Sequence, residues 1–131
     1  MEEMRGQRFW WASLAAIIAA GLLSRTVHTG LVLIDKYLGD ALYAAMIYVI
    51  LRLTGRIARV ALWSAAAVTA IELFQLTGIP AGMAASESIV VRVCARLLGT
   101  QFSVLDLAAY AVGIACIAFA DSRRAAADSF R

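Results

Sequence analysis

Apolar residues fall in four long runs separated by short stretches where glycine and charge gather: Phe9 to Ser24, about Leu38 to Leu53, Ile57 to Leu76, and Ser103 to Ala120. Each run approaches the roughly 20 residues that a helix needs to cross about 30 Å of hydrocarbon. The first opens on Phe9-Trp10-Trp11, side chains of the kind that settle at a membrane–water boundary, and it is too long for the apolar part of a cleaved secretion signal. The second is short and spans if Asp40 lies near the headgroups while Arg52 snorkels at the other end. The third and fourth carry one acid each, Glu72 and Asp106. This pattern predicts an all-α, polytopic membrane protein, a single transmembrane domain over residues 1–131, with helices at about 9–25, 38–53, 57–76 and 103–120.

Between the third and fourth helices, the Thr77 to Ser88 stretch holds Gly78, Pro80 and Gly82 and breaks the helical pattern. Ile89 to Leu98 then places Arg92 and Arg96 on one helical face, which predicts a short interfacial or re-entrant helix at about 89–98. An incomplete fifth crossing is the alternative, although ten residues rise only about 15 Å.

Composition narrows the class. A chain with 63% hydrophobic and only 16% charged residues is not an ordinary soluble domain. The net charge of +3 does not indicate nucleic acid, because the basic residues punctuate apolar runs instead of forming a solvated patch. Cys94 and Cys116 fall at different depths and are expected to be unpaired small core residues. Lysine and arginine set the orientation. Arg5, Arg8, Arg52, Arg56, Arg59, Arg123, Arg124 and Arg131 fall on one side of the four crossings, and Arg25, Lys36, Arg92 and Arg96 on the other. The positive-inside bias therefore puts both termini in the cytoplasm.

Alternating helices bring the end of the first, the start of the second, the end of the third and the start of the fourth to the outer face. Arg25, Asp40, Glu72, Gln75 and Asp106 all fall at that level, with Tyr110 about 6 Å deeper than Asp106. A charge facing hydrocarbon costs at least about 2.5 kcal/mol, so the three acids are expected to face inward and find donors, with Arg25 and Arg92 the nearest candidates. Three acids against two arginines leave one carboxylate for a proton or a cationic partner. Asp106, Tyr110 and Gly113 share a helix face, and the missing side chain of Gly113 allows close helix contact beside a narrow polar cleft. Ser24, Trp63 and the stripe of Ala12, Ala16 and Ala20 are expected to pack helices, Arg56 and Arg59 to anchor the cytoplasmic side, and His28 to be solvated.

These residues resemble the DUF2809 family of small bacterial membrane proteins, a group similar to the VanZ-like family. The resemblance runs from about Gly21 to Gly113. It is carried by Gly21-Leu22-Leu23-Ser24-Arg25, Tyr37-Leu38-Gly39-Asp40-Ala41-Leu42-Tyr43, and Ile71-Glu72-Leu73-Phe74-Gln75-Leu76. Arg92, Leu98-Gly99-Thr100 with Phe102, and Asp106-Leu107 with Tyr110 and Gly113 complete it. The family spacing between the Glu-x-x-Gln helix and its arginine is usually tighter, so Arg92 and Arg96 both stand for that position. The resemblance implies the bacterial cytoplasmic (inner) membrane, and its VanZ-like side implies lipophilic antibiotics at the cell surface.

Three readings follow for the polar set. In the first, Glu72, Asp106, Asp40 and Tyr110 perform cofactor-free acid/base chemistry of cyclase, isomerase or epoxide-opening type on a hydrophobic substrate, held by Arg25, Arg92, Gln75 and Tyr43. In the second, the same residues bind a lipid or lipophilic antibiotic unchanged. In the third, they are an ion-pair network that docks short helices, as in a structural membrane subunit. Ion conduction would require a homo-oligomer. No metal is expected, since one His and two separated Cys lack ligand spacing, and no Ser-x-x-Lys, Gly-x-Ser-x-Gly, phosphate-loop or dinucleotide motif is present.

Overall fold

The computed structural model describes residues 2–55 and 57–130, with the side chains of residues 2, 3 and 32 left aside. Arg56 and Arg131, counted above toward orientation, lie outside the described residues. The described residues are helical throughout, with no strand: α1 (Glu2–Thr26), α2 (Val32–Asp35), α3 (Tyr37–Thr54), α4 (Val60–Gln75), α5 (Ile79–Ala84), α6 (Ile89–Leu98) and α7 (Val104–Ser129).

Three stretches, Met4–Thr26, Leu33–Thr54 and Val104–Ser129, are long and apolar enough to cross a membrane, and α4 is a shorter apolar helix of 16 residues. Helix α4 begins later than the apolar pattern suggests, because Arg59 takes a left-handed conformation (φ 57°) and delays the first helical turn to Val60. At the other extreme, α1 and α7 run well past their apolar cores. Arg124 and Asp128, 3.8 Å apart at i,i+4 spacing, stand in the polar extension of α7. The segment after Gln75 also holds more helix than its glycines and proline suggest. Pro80 sits in the first turn of α5, where a missing N–H costs nothing.

Helix α3 is the hub. It packs against α1, α4 and α7, and the core is built from Trp10, Ala44, Tyr48, Val49, Val60, Val68, Tyr110 and Ile114. Most of the remaining apolar surface faces outward. Leu22, Leu33, Leu62, Leu105 and Phe119 are each more than half exposed, far beyond what a soluble monomer leaves in water, and hydrocarbon is the solvent this surface suits.

Several packing expectations are reversed. Ala12, Ala16 and Ala20 are exposed, and α1 docks instead through Trp10, Leu14 and Ile17. The bulky stripe enters the core, where the Trp10 ring lies 6.4 Å from that of Tyr48 on α3. Trp63 is exposed, as are both cysteines, which are free and not core residues. Within the aromatic trio, only Trp10 is buried. Ser24 does pack, donating to the Gly21 carbonyl at 2.8 Å beside Gly39.

Gly113 sets the distance between α3 and α7, since a Cβ there would run into the Ala41 carbonyl oxygen. The face shared by Asp106, Tyr110 and Gly113 is thus closed by α3, not open as a cleft. Gly113→Ala is expected to lower stability by about 1–3 kcal/mol, the usual range for overpacking. Gly21→Ala, whose added methyl meets open space, is expected to leave stability unchanged or raise it by up to about 1 kcal/mol. Thermal unfolding in detergent, followed by circular dichroism, reads both; equal responses would remove the close approach as the cause.

Candidate functional site

The start of α3, the end of α4, the end of α6 and the start of α7 meet at one end of the bundle. Each brings polar side chains because a helix terminus there leaves backbone groups that need partners. Glu72, from the last turns of α4, is completely buried. Its Oε1 accepts a 2.8 Å hydrogen bond from the Tyr110 hydroxyl and a long 3.4 Å one from Gln75 Nε2. Its Oε2 accepts from the Ser103 backbone N–H at 3.3 Å, and so caps the N-terminus of α7 from another helix.

Gln75 ties in the short helix. Its Nε2 donates to the Leu98 carbonyl at 2.7 Å, at the end of α6. Gly99 makes that contact possible: its φ is +78°, and a Cβ on it would lie 2.6 Å from Gln75 Nε2. Both partners of Nε2 are acceptors, which fixes the amide orientation. Gln75 Oε1 consequently faces inward, buried and without a protein donor.

The third acid of the set is held by a residue that sequence reasoning left in a connecting loop. Lys36 Nζ lies 3.0 Å from Asp106 Oδ1; Lys36 is half exposed and Asp106 nearly buried. The contact is ionic and not an aligned hydrogen bond. The signal was present, since Lys36 is the chain's single lysine and precedes Asp40 by one helical turn. Asp35 prepares its position by accepting from Thr29 N (2.8 Å), Thr29 Oγ1 (2.8 Å) and Gly30 N (3.1 Å), which folds the connection onto α3.

Asp40 is within electrostatic reach of Asp106, Lys36, Glu72 and Arg25. Its Oδ2 is buried without a protein donor. The Tyr43 ring stands 6.3 Å from that of Tyr110, lining the same level. Among the described residues no three His, Cys, Asp or Glu side chains gather to hold a metal ion, so the acids are spread along the cluster and not focused on one point.

Of the two expected arginine partners, Arg92 is engaged elsewhere. Arg92 Nη1 donates to the Ser86 and Glu87 carbonyls at 2.9 and 2.8 Å, and so stabilises the turn into α6. It precedes Leu98 by six residues, about 9 Å along the helix, and so its base stands well back from the acids. Arg25 is exposed at the end of α1 and close enough to Asp40 for charge interaction. Among the described hydrogen bonds and ion pairs, Lys36 makes the direct cationic contact in this cluster. His28 is exposed, as expected.

A second polar group, which sequence reasoning did not assemble, lies at the opposite end. Asp121 Oδ2 accepts from the Tyr48 hydroxyl at 2.7 Å and from Arg52 Nε at 3.1 Å. Asp121 follows the last apolar run directly, and Arg52 was read only as a snorkelling anchor.

The family model described as a protein of unknown function, DUF2809, matches residues 29–114, about two thirds of the chain, and the protein belongs to that family. The match takes in Lys36, Asp40, Glu72, Gln75, Asp106 and Tyr110, and leaves out Arg25. No curated protein and no solved structure matches the chain.

Because Tyr110 gives Glu72 its shortest bond, Tyr110→Phe is expected to cost about 1–3 kcal/mol of stability, the range for leaving a buried acceptor without its donor. A double-mutant cycle with Glu72→Gln should return a coupling energy within the 0.5–3 kcal/mol seen for residues in contact. Additive effects on unfolding would show that the two side chains act separately.

Proposed function

We propose that this DUF2809 protein crosses a bacterial inner membrane four times, with both termini cytoplasmic, and performs cofactor-free acid/base chemistry on the head of an amphiphilic molecule reaching the Lys36–Asp40 edge of the cluster. The observation that carries this reading is the surplus of acceptors: Asp40 Oδ2 and Gln75 Oε1 are buried without protein donors beside an acid already engaged by Lys36. Buried acceptors left so cost about 1–3 kcal/mol each, and a ligand bringing hydroxyl or ammonium donors recovers that cost.

The geometry divides the roles. Glu72 is enclosed and supplied with donors by Tyr110, Ser103 and Gln75, which suits a support that fixes α4 against α7. Asp40 and Lys36 are more open and share one face of α3, one turn apart. In the proposed step Asp40 takes a proton from a carbon between a substrate carbonyl and a C=C bond, the electron pair moves onto the carbonyl oxygen steadied by the Lys36 ammonium, and it returns through the C=C bond as the proton is delivered to the far carbon, shifting the double bond by one position. Isomerisation balances in this way with no co-reactant. Positioned proton transfer of this kind contributes typically about 10²- to 10⁴-fold. The alternative is a non-catalytic protein that holds a lipid or lipophilic antibiotic; the enclosure of Glu72 favours it, since a sealed carboxylate serves shape better than turnover.

The test incubates the folded, detergent-extracted protein with a lipid extract of its own membrane in deuterated water and follows carbon-bound deuterium by mass spectrometry. The expected result is incorporation into one amphiphile, reduced at least about 100-fold in Asp40→Asn. Retention of an amphiphile without incorporation would favour the binding alternative. If wild type and Asp40→Asn exchange equally, the acid/base assignment fails.

A further inference from the structure

The end of the bundle away from Glu72 holds a cavity of about 290 Å³ lined by Arg5, Trp10, Arg52, Asp121, Arg124 and Asp128. We propose that this cavity binds a phosphate anion, the chemistry shared by an anionic lipid headgroup and a free phosphate group. It goes beyond the reading of the Glu72 end and stands on different residues.

Three helices each supply one guanidinium: Arg5 from α1, Arg52 from α3 and Arg124 from α7. Among the described residues two carboxylates line the cavity against them, one fewer than the guanidinium groups. Asp121 Oδ2 is shared between Tyr48 and Arg52 Nε, an arrangement that steers Arg52 while leaving its four terminal N–H bonds for other acceptors. Asp128 is largely exposed and stands 3.8 Å from Arg124 Nε, a surface pair of small worth.

Two of the guanidinium groups are also held by aromatic packing. Arg124 stacks 3.9 Å above the Phe9 ring, and Arg52 lies 5.8 Å from the Trp10 centroid. Trp10 is itself fixed, buried against Tyr48 and edge-on to Phe9. Planar forks oriented this way match tetrahedral oxyanions by paired N–H bonds.

Depth supplies the second argument. Arg5 precedes the apolar core of α1 by about one turn, Arg52 stands at the end of α3, and Asp121 directly follows the apolar run of α7. The cavity therefore opens at the level where an apolar surface gives way to headgroups. Anionic lipids concentrate there on the cytoplasmic side and attract basic residues.

The purified full chain in neutral detergent is titrated with phosphatidylglycerol and, in parallel, with phosphatidylcholine, and native mass spectrometry reads occupancy. A third arm titrates inorganic phosphate by calorimetry. One equivalent of phosphatidylglycerol is expected to bind at concentrations where phosphatidylcholine does not. Arg5→Gln and Arg124→Gln should each weaken it about fivefold, and Arg124→Lys should also weaken it, since an ammonium keeps the charge but neither the planar fork nor the stack on Phe9. Binding of inorganic phosphate that displaces the lipid would identify a free phosphate as sufficient; lipid binding without it would identify the headgroup as the ligand. Should Arg124→Gln fail to fold for want of its stack on Phe9, Arg5→Gln carries the comparison alone. Equal binding of the two lipids, or undiminished phosphatidylglycerol affinity in a folded Arg5→Gln protein, would overturn the proposal.

Discussion

A charge that faces hydrocarbon has no partner, and the architecture of this protein follows from avoiding that state. Its helices present leucine, valine and phenylalanine outward. The charged and hydrogen-bonding side chains that interrupt the apolar runs are gathered at two levels, one at each end of the bundle. At one, Glu72 collects donors from α4 and α7 while Lys36 of the α3 approach meets Asp106. At the other, Asp121 of α7 joins Tyr48 and Arg52 of α3. Helix α3 serves both ends, and between them its interior face is apolar, with Ala44, Ala45 and Val49 buried. This division explains why α3, neither the longest helix nor the most apolar, packs closely against α1, α4 and α7.

Where the helices lie follows in part from hydropathy and helix breakers, which act locally: α6 spans Ile89–Leu98 and α3 Tyr37–Thr54, while α1 and α7 extend well past their apolar runs and α4 starts later than its own. The convergence of Glu72, Gln75, Asp106 and Tyr110 was legible too, since alternating direction and a common depth suffice to place it. What depended on side-chain volume and local chain path was not. The choice between Ala12-Ala16-Ala20 and Trp10-Leu14-Ile17 as the docking face of α1 rests on what α3 offers opposite, which no single-helix pattern contains. The placement of Arg92 was not legible, because its guanidinium is taken by the Ser86 and Glu87 carbonyls at the turn into α6. The role of Lys36 was not legible because it precedes the second apolar run, and it is α2 and the Asp35 contacts that turn it back onto the bundle.

The two polar levels also fix register. Lys36 to Arg52 spans about 24 Å of helix, and Asp106 to Asp121 about 22 Å, so α3 and α7 run parallel and nearly in step. Pinned at both ends, and pressed together where Gly113 meets Ala41, the pair cannot slide by a turn without separating an ion pair at each level. Such a pair gives the Glu72 end a rigid floor. A site whose groups come from separate helices needs that rigidity, because small displacements between positioned groups cost large factors in rate.

The same interval bears on α4. With 16 residues it rises about 24 Å, short of the roughly 30 Å of an average hydrocarbon layer. Taken alone, it looks too short to cross. Its rise is close to the interval of about 22–24 Å between the polar levels on α3 and α7, and Glu72 and Gln75 at its end belong to one of them. A bundle built to that length either thins the bilayer around it or lets its polar ends sit below the headgroups, and mismatch of this kind costs fractions of a kcal/mol per Å. The second arrangement puts Lys36 and Asp40 within reach of a lipid-embedded head while Glu72 stays sealed behind Tyr110. That is the geometry an amphiphile would meet on approaching from the side, and it links the short helices directly to the proposed chemistry.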